Sequence, residues 1–229
     1  CALLTGWWAG RIGLMSSLGL VMAFWIVAAV ATDLIERLRH GSGPWWRRLR
    51  LLPRAMVGMM LAHLGVAAFV FGVTMVRSYE VERDVKMDLG DSTTLGGYTF
   101  TFQGVRDRRG PNYDAAQGLV EVTRKGRKVI DMRPEKRVYR VQRNPMTEAA
   151  IHAGITGDLY VSLGEPLDTG NAWIVRVYVK PFIDWVWGGC LLMALGGGLA
   201  ATDRRYRLRQ RRELSAAVAA TTVLRPSHG

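Results

Sequence analysis

The sequence predicts a membrane protein with three transmembrane α-helices and one extracytoplasmic, mainly antiparallel β domain, a small sheet or partly open barrel, between the second and third helices. Three observations carry that prediction. Uncharged runs of 21, 22 and 18 residues cover Ile12–Thr32, Ala55–Val76 and Trp185–Thr202. A helix rises about 1.5 Å per residue, so runs of this length match a hydrocarbon core about 30 Å thick. The polar stretch between the second and third runs is rich in alternating, β-branched segments. The positive charge is concentrated in short segments beside the runs.

Residues 1–11 read as an extracytoplasmic N-terminal segment. No initiator methionine, charged n-region or small-residue cleavage site precedes the first run. Cys1 therefore reads neither as the start of a secretory signal nor as a lipoprotein anchor, and the chain reads as part of a longer membrane protein. Residues 12–32 are the first span. Residues 33–54 form a basic loop with six arginines against Asp33 and Glu36, broken by Gly41-Ser42-Gly43-Pro44. Trp45 and Trp46, next to Arg47, Arg48 and Arg50, suit a headgroup interface, and Trp7, Trp8, Trp185 and Trp187 suit the opposite one.

Residues 55–76 are the second span and 77–184 the polar domain. Strands are expected at Tyr79–Met87, Tyr98–Val105, Gly118–Thr123, Val129–Met132, Arg137–Val141, Leu159–Leu163 and Ala172–Val179. Turn signals stand at Gly96-Gly97, Gly110-Pro111-Asn112 and Lys125-Gly126. Met146–His152 reads as a short helix with Thr147 as its cap. Residues 185–202 are the third span. Residues 203–229 form a basic tail with seven arginines against Asp203 and Glu213, and its end, 213–229, reads as disordered.

The net charge of +12 lies in these flanking segments, whereas the domain carries 17 Lys/Arg against 15 Asp/Glu. That is the positive-inside pattern, with the loop and tail cytoplasmic and the domain on the other side. A nucleic-acid-binding protein would carry its positive stripe on the folded domain, so nucleic acid is not an expected partner and membrane lipid is. Cys1 and Cys190 are the two cysteines, and no CxxC, haem-attachment or zinc spacing is present.

The second span contains one ionisable side chain, His63, near its middle. Ionisable groups at that depth are costly and usually face a partner, a cavity or a cofactor. Ala55, Gly58, Ala62, Gly65 and Gly72 recur at heptad spacing on one stripe, with Phe69 in the remaining slot, and small residues let another helix approach closely. His63 is one residue from that seam, so it is expected to border a helix contact and not to point into open lipid. Two readings stand side by side. One is a ligand or proton-relay histidine, and the other is a structural histidine donating to a nearby carbonyl.

A series of segments in order then carries a resemblance. Arg54-Ala-Met-Val-Gly-Met-Met-Leu-Ala-His-Leu-Gly65 leads into Ser78-Tyr-Glu-Val-Glu-Arg-Asp-Val-Lys-Met87. Gly97-Tyr-Thr-Phe100, Gly110-Pro-Asn112, Pro134-Glu-Lys-Arg137, Met146-Thr-Glu-Ala-Ala-Ile151, Asp158-Leu-Tyr-Val-Ser-Leu-Gly-Glu165, Lys180-Pro-Phe182 and Ala201-Thr-Asp-Arg-Arg-Tyr206 follow. Over residues 1–207 the chain resembles the carboxy-terminal part of the CcmF/NrfE family, haem lyase subunits of bacterial cytochrome c maturation.

The resemblance implies a polytopic protein of the bacterial cytoplasmic (inner) membrane with its β domain in the periplasm. It implies receipt of haem from a haem chaperone and help in attaching it to the CxxCH motif of apocytochrome c, alongside other maturation subunits. It implies a b-type haem held in the membrane between two histidines, of which His63 matches one, with the second axial ligand outside this chain. His63 is thus the one cofactor-binding and metal (haem iron) residue expected, and it would form part of an electron path. No complete active site is expected here. Trp7-Trp8 and Trp45-Trp46 lack the aspartate of the family's tryptophan-rich motif. Two positions depart from the pattern: His152 stands where an acidic residue is expected, and Gly157 where a basic one often precedes Asp-Leu-Tyr. His152 reads as a solvated surface histidine, with a haem-handling role as the alternative. His40 and His228 receive no role. The rival to the lyase reading is a non-enzymatic membrane scaffold or sensor whose β domain binds a partner. Transport would call for further intramembrane acids or bases, which the spans lack.

Overall fold

The computed structural model describes residues 13–40, 43–141, 143–154, 157–167 and 172–203. The expectations for Cys1, for Trp7 and Trp8, for His228 and for a disordered end at 213–229 lie outside the described residues. Three helices are long and apolar enough to cross a membrane: α1 (Leu14–Arg39), α3 (Arg54–Tyr79) and α4 (Ile183–Ala201). A short helix, α2 (Trp45–Arg50), lies between the first two. Met75–Asp184 forms one compact unit and the helical segments on either side form another.

In the helical unit α1 runs on past Thr32 to Arg39, because nothing breaks the helix until the Gly-Ser-Gly-Pro stretch. Arg48 of α2 reaches back to this end. Its guanidinium donates to the Leu38 carbonyl, a group that the helix terminus leaves without a partner, and at 2.6 Å to that of Gly43 in the loop. Trp45 and Trp46 are exposed on α2, and Arg50 stacks over Trp46 at 5.7 Å.

The small-residue stripe of α3 meets α4. A Cβ added at Gly65 would fall 2.6 Å from the Met193 amide nitrogen and 2.8 Å from the Gly189 carbonyl oxygen. One at Gly72 would fall 2.7 Å from the Val186 nitrogen, and Gly58 abuts the backbone of Gly196 and Ala200. Gly189 and Gly196 answer from α4 against Phe69 and Ala62. Backbones this close leave no room for any side chain, which is how membrane helices without a hydrophobic driving force gain packing contact. Met60, Ala67 and Thr74 form a second buried stripe on the other side of α3, and Gly19 of α1 lies against Thr74.

The other unit is a pair of antiparallel sheets. Its strands are β1 (Val81–Met87), β2 (Ser92–Leu95), β3 (Tyr98–Arg109), β4 (Tyr113–Arg124), β5 (Arg127–Met132), β6 (Glu135–Tyr139), β7 (Pro145–Glu148), β8 (Ala150–His152), β9 (Asp158–Pro166) and β10 (Trp173–Lys180). One sheet has the order β1-β10-β9-β8 and the other β2-β3-β4-β6-β7, with β5 also on β4. The expected antiparallel β domain is present, as two facing sheets and not one small sheet. Alternation along the strands sends Met87, Phe100, Phe102, Val120, Val122, Leu159, Val161, Leu163, Val175 and Val177 into a shared core with almost no exposure.

The turn signals are realised. Lys125 and Gly126 both have positive φ (51° and 73°), as do Gly96 and Gly97 (59° and 81°), which fits tight hairpin turns matched to strand twist. Gly104, at φ 95°, sits in a bulge of β3 between Phe102 and Val105.

The short helix expected at Met146–His152 is not there. Those residues form β7, paired with β6, and β8, paired with β9. Met, Glu and Ala favour helices, but two waiting strand partners outweigh an intrinsic preference of a few tenths of a kcal/mol per residue. By changing partner at Ala149 the segment joins the two sheets along one side.

Candidate functional site

His63 lies well inside α3, nine residues after its start at Arg54 and sixteen before its end at Tyr79. Its Nδ1 is 2.8 Å from the Met59 carbonyl oxygen, one turn back. A carbonyl can only accept, so Nδ1 carries the proton and donates. In a neutral imidazole held this way the lone pair is on Nε2. Metal-binding histidines are commonly held this way, with one ring nitrogen fixed by a carbonyl and the other turned to the metal.

The ring is exposed on the helix surface. It precedes Ala67 by one turn, so it flanks the second buried stripe, whose Thr74 lies against Gly19 of α1, and points well away from the glycine seam with α4. His63 thus borders a packed stripe, as expected, but among the described residues neither α1 nor α4 covers the ring. The hydrogen bond of the structural reading is present, yet it occupies only one ring nitrogen.

The other described histidines are placed elsewhere. His40 caps α1, with its Nδ1 2.9 Å from the Glu36 carbonyl oxygen. His152 stands in β8 opposite Leu159 and is half-buried, where the sequence suggested a solvated surface histidine. Pairing with β9 explains the difference. Among the described residues no group of three or more His, Cys, Asp or Glu side chains is gathered as a metal site.

A second polar arrangement was not evident as a site from the sequence. Glu135 on β6 is buried and accepts from Gln117 at 2.6 Å, Arg108 at 2.8 Å and Arg137 at 2.8 Å. Arg137 continues to Glu148 at 3.3 Å and lies over the Tyr113 ring at 4.5 Å. Burial alone would raise the Glu135 pKa. The bonds from Arg137 and Gln117, the Arg137 charge and the Arg108 bond outweigh it and hold the carboxyl below its ordinary value.

Nearby, Lys136 pairs with Glu165 at 2.5 Å and donates to the Gly164 carbonyl, while Thr147 donates to that of Leu163. The three segments Pro134–Arg137, Met146–Ile151 and Asp158–Glu165 thus meet side by side. Lys180 of the Lys-Pro-Phe segment lies 5.1 and 5.2 Å from the Tyr160 and Tyr178 rings. The side chains that mark the sequence pattern in this unit mostly hold its strands together.

Three apolar helices and an antiparallel β-sandwich define the class as a multi-pass membrane protein with a folded β unit. The family model described as "CcmF C-terminal beta-sandwich" matches residues 78–181. The chain is 48% identical over 189 residues to a cytochrome c-type biogenesis protein CcmF of Pseudomonas aeruginosa, covering 82% of this chain and 28% of that protein. It is 42% identical to CcmF of Escherichia coli over 212 residues, 91% of this chain and 31% of that one. A cytochrome c-type biogenesis protein NrfE of Haemophilus influenzae is 36% identical over 66% of this chain and 23% of its own length. The fold is shared with a solved structure, "Cytochrome c Heme Lyase CcmF", at a TM-score of 0.67 and 22% identity, over 87% of this chain and 33% of that one. This chain belongs to the CcmF/NrfE family and corresponds to its carboxy-terminal part. It spans less than a third of the length of the curated relatives.

Proposed function

We propose that this chain is part of a membrane haem lyase of cytochrome c maturation. It acts in the bacterial cytoplasmic membrane with its β unit in the periplasm, and His63 would hold the iron of a resident b-type haem. The observation that carries the reading is the His63 ring, fixed through Nδ1 to Met59 at 2.8 Å with Nε2 turned outward from an apolar helix. The donor chemistry fits haem iron, for which neutral imidazole is a common ligand. A second ligand would come from outside this chain. When bound, the haem supplies a one-electron redox centre within the membrane.

The reaction served is thioether formation on a substrate haem delivered by a haem chaperone. Each thiol of a CxxCH motif in apocytochrome c adds across one vinyl group. A sulfur–carbon bond forms at one vinyl carbon, the thiol hydrogen ends on the other, and nothing leaves. Such an addition needs a held haem, reduced iron and aligned thiols more than it needs a side-chain acid or base. This chain contributes the ligand His63, the α3–α4 pair that carries it, and a β unit suited to docking apocytochrome c and other maturation subunits. Met146, 51% exposed on β7, marks one candidate contact.

The test is complementation. In cells lacking the native protein, a full-length protein with His63→Ala is expected to accumulate in the membrane but to yield little or no holocytochrome c. Normal holocytochrome levels would contradict the reading. Normal haem content with loss of partner binding when the β unit is altered would favour the scaffold.

A further inference from the structure

The first amide groups of a helix have no partners within it. At the start of α3 one of them, the Ala55 N–H, donates to Asp203 Oδ2 at 3.0 Å across 148 positions of sequence. Asp203 follows α4 and is 8% exposed. A buried carboxylate is costly unless hydrogen-bonded, and a helix N-terminus favours negative charge. The bond lies in the same antiparallel register as the close contacts of Gly58 with Gly196, Gly65 with Gly189 and Gly72 with Trp185. The glycines bring α3 and α4 together along their length, and Asp203 ties off the basic end. His63 lies eight residues further along α3, about 12 Å up the axis, and Met59, which fixes its ring, is one turn nearer to Asp203.

We propose that Asp203 is a positioning residue: its carboxylate clasps the start of α3 to the end of α4 and so sets the orientation at which His63 presents Nε2. The proposal rests on the ligand reading of His63.

The experiment uses the full-length protein with spin labels at the exposed positions Leu51 and Thr202, as wild type, Asp203→Ala and Asp203→Asn. Asparagine still offers an oxygen to the Ala55 N–H, whereas alanine does not. Asp203→Ala is expected to widen the distance distribution and shift the haem midpoint potential. It should also weaken haem retention about fivefold, the size of a lost helix cap. Asp203→Asn is expected to restore all three. Unchanged distances in Asp203→Ala would overturn the proposal, as would widened distances with an unaltered haem potential and retention. A His63→Ala control separates the two ideas. If haem survives that change, the ligand reading fails and the positioning role falls with it, while the distances still report on the clasp.

Discussion

At the scale of single residues, His63 and Glu135 show what the sequence exposes and what it hides. His63 was legible because it is the one ionisable side chain in an apolar span, and the cost of burying such a group singles it out. Glu135 was visible only as part of a recurring segment. Its burial depends on Gln117, its partner on β4, and on the arginines that donate to it, none of which has a periodic signature. Removing its carboxylate leaves the Gln117 amide without its acceptor and Arg137 with Glu148 in place of two carboxylates. The Glu135 side chain is 5% exposed, but Arg108 and Arg137 are 56% and 26% exposed and can turn to water. The cost of Glu135→Ala is therefore expected at about 2 kcal/mol, below that of a fully buried pair. The pKa of Glu135 is lowered by folding. Its stabilisation is thus present above the unfolded glutamate value of about 4.3 and is lost as pH falls through the lower folded value. Asp84, whose carboxyl is lowered by its bond to Arg176, adds to the same acid limb. Urea-dependent proteolysis of the β unit within the full-length protein, compared near pH 7 and pH 3.5, is expected to show a smaller loss at low pH in Glu135→Gln than in wild type. An equal loss would remove Glu135 from the account.

Among elements, the α3 side of the glycine seam was readable and one segment, which forms two strands, was misread. Gly58, Gly65 and Gly72 sit at heptad spacing because α4 packs there, and the sequence pattern and the contact coincide. The segment Met146–His152 was opaque for the opposite reason. Its identity as β7 and β8 comes from β6 and β9, residues distant in sequence, while its own composition favours helix. Gly157, a departure from the family pattern, is explained by local geometry: at φ 134°, a Cβ would lie 2.7 Å from the Lys180 carbonyl oxygen. A seam made of backbone contacts makes a firm prediction. Gly65→Leu has no space against Met193 and Gly189 and must push α4 away, at a cost of at least about 1–3 kcal/mol. Cysteines engineered at facing positions of α3 and α4 should cross-link readily in otherwise wild-type protein and poorly with Gly65→Leu. Equal cross-linking would mean that the helices do not rely on this seam.

For the molecule as a whole, charge and hydropathy outline a layout that side-chain contacts alone do not. The basic segments 33–54 and 203–229 flank the spans, and the β unit is nearly neutral. This arrangement predicts that a cysteine placed at Thr202 reacts with impermeant reagents only from the cytoplasmic side, and one at Val141, 93% exposed on the β unit, only from the periplasmic side. The opposite pattern would invert the proposed topology and exclude the proposed docking of apocytochrome c on the β unit. The sequence shows the spans, most of the strands and the candidate ligand. It could not show which way the His63 ring turns, since that depends on the Met59 carbonyl and on the absence of cover from α1 and α4. The central claim, that His63 holds a haem in the membrane, is tested most directly by a reduced-minus-oxidised visible spectrum of the full-length protein in detergent, with and without His63→Ala. The account predicts a sharp low-spin b-type signal that disappears in the variant; no haem in the wild type, or a signal indifferent to the substitution, would contradict it.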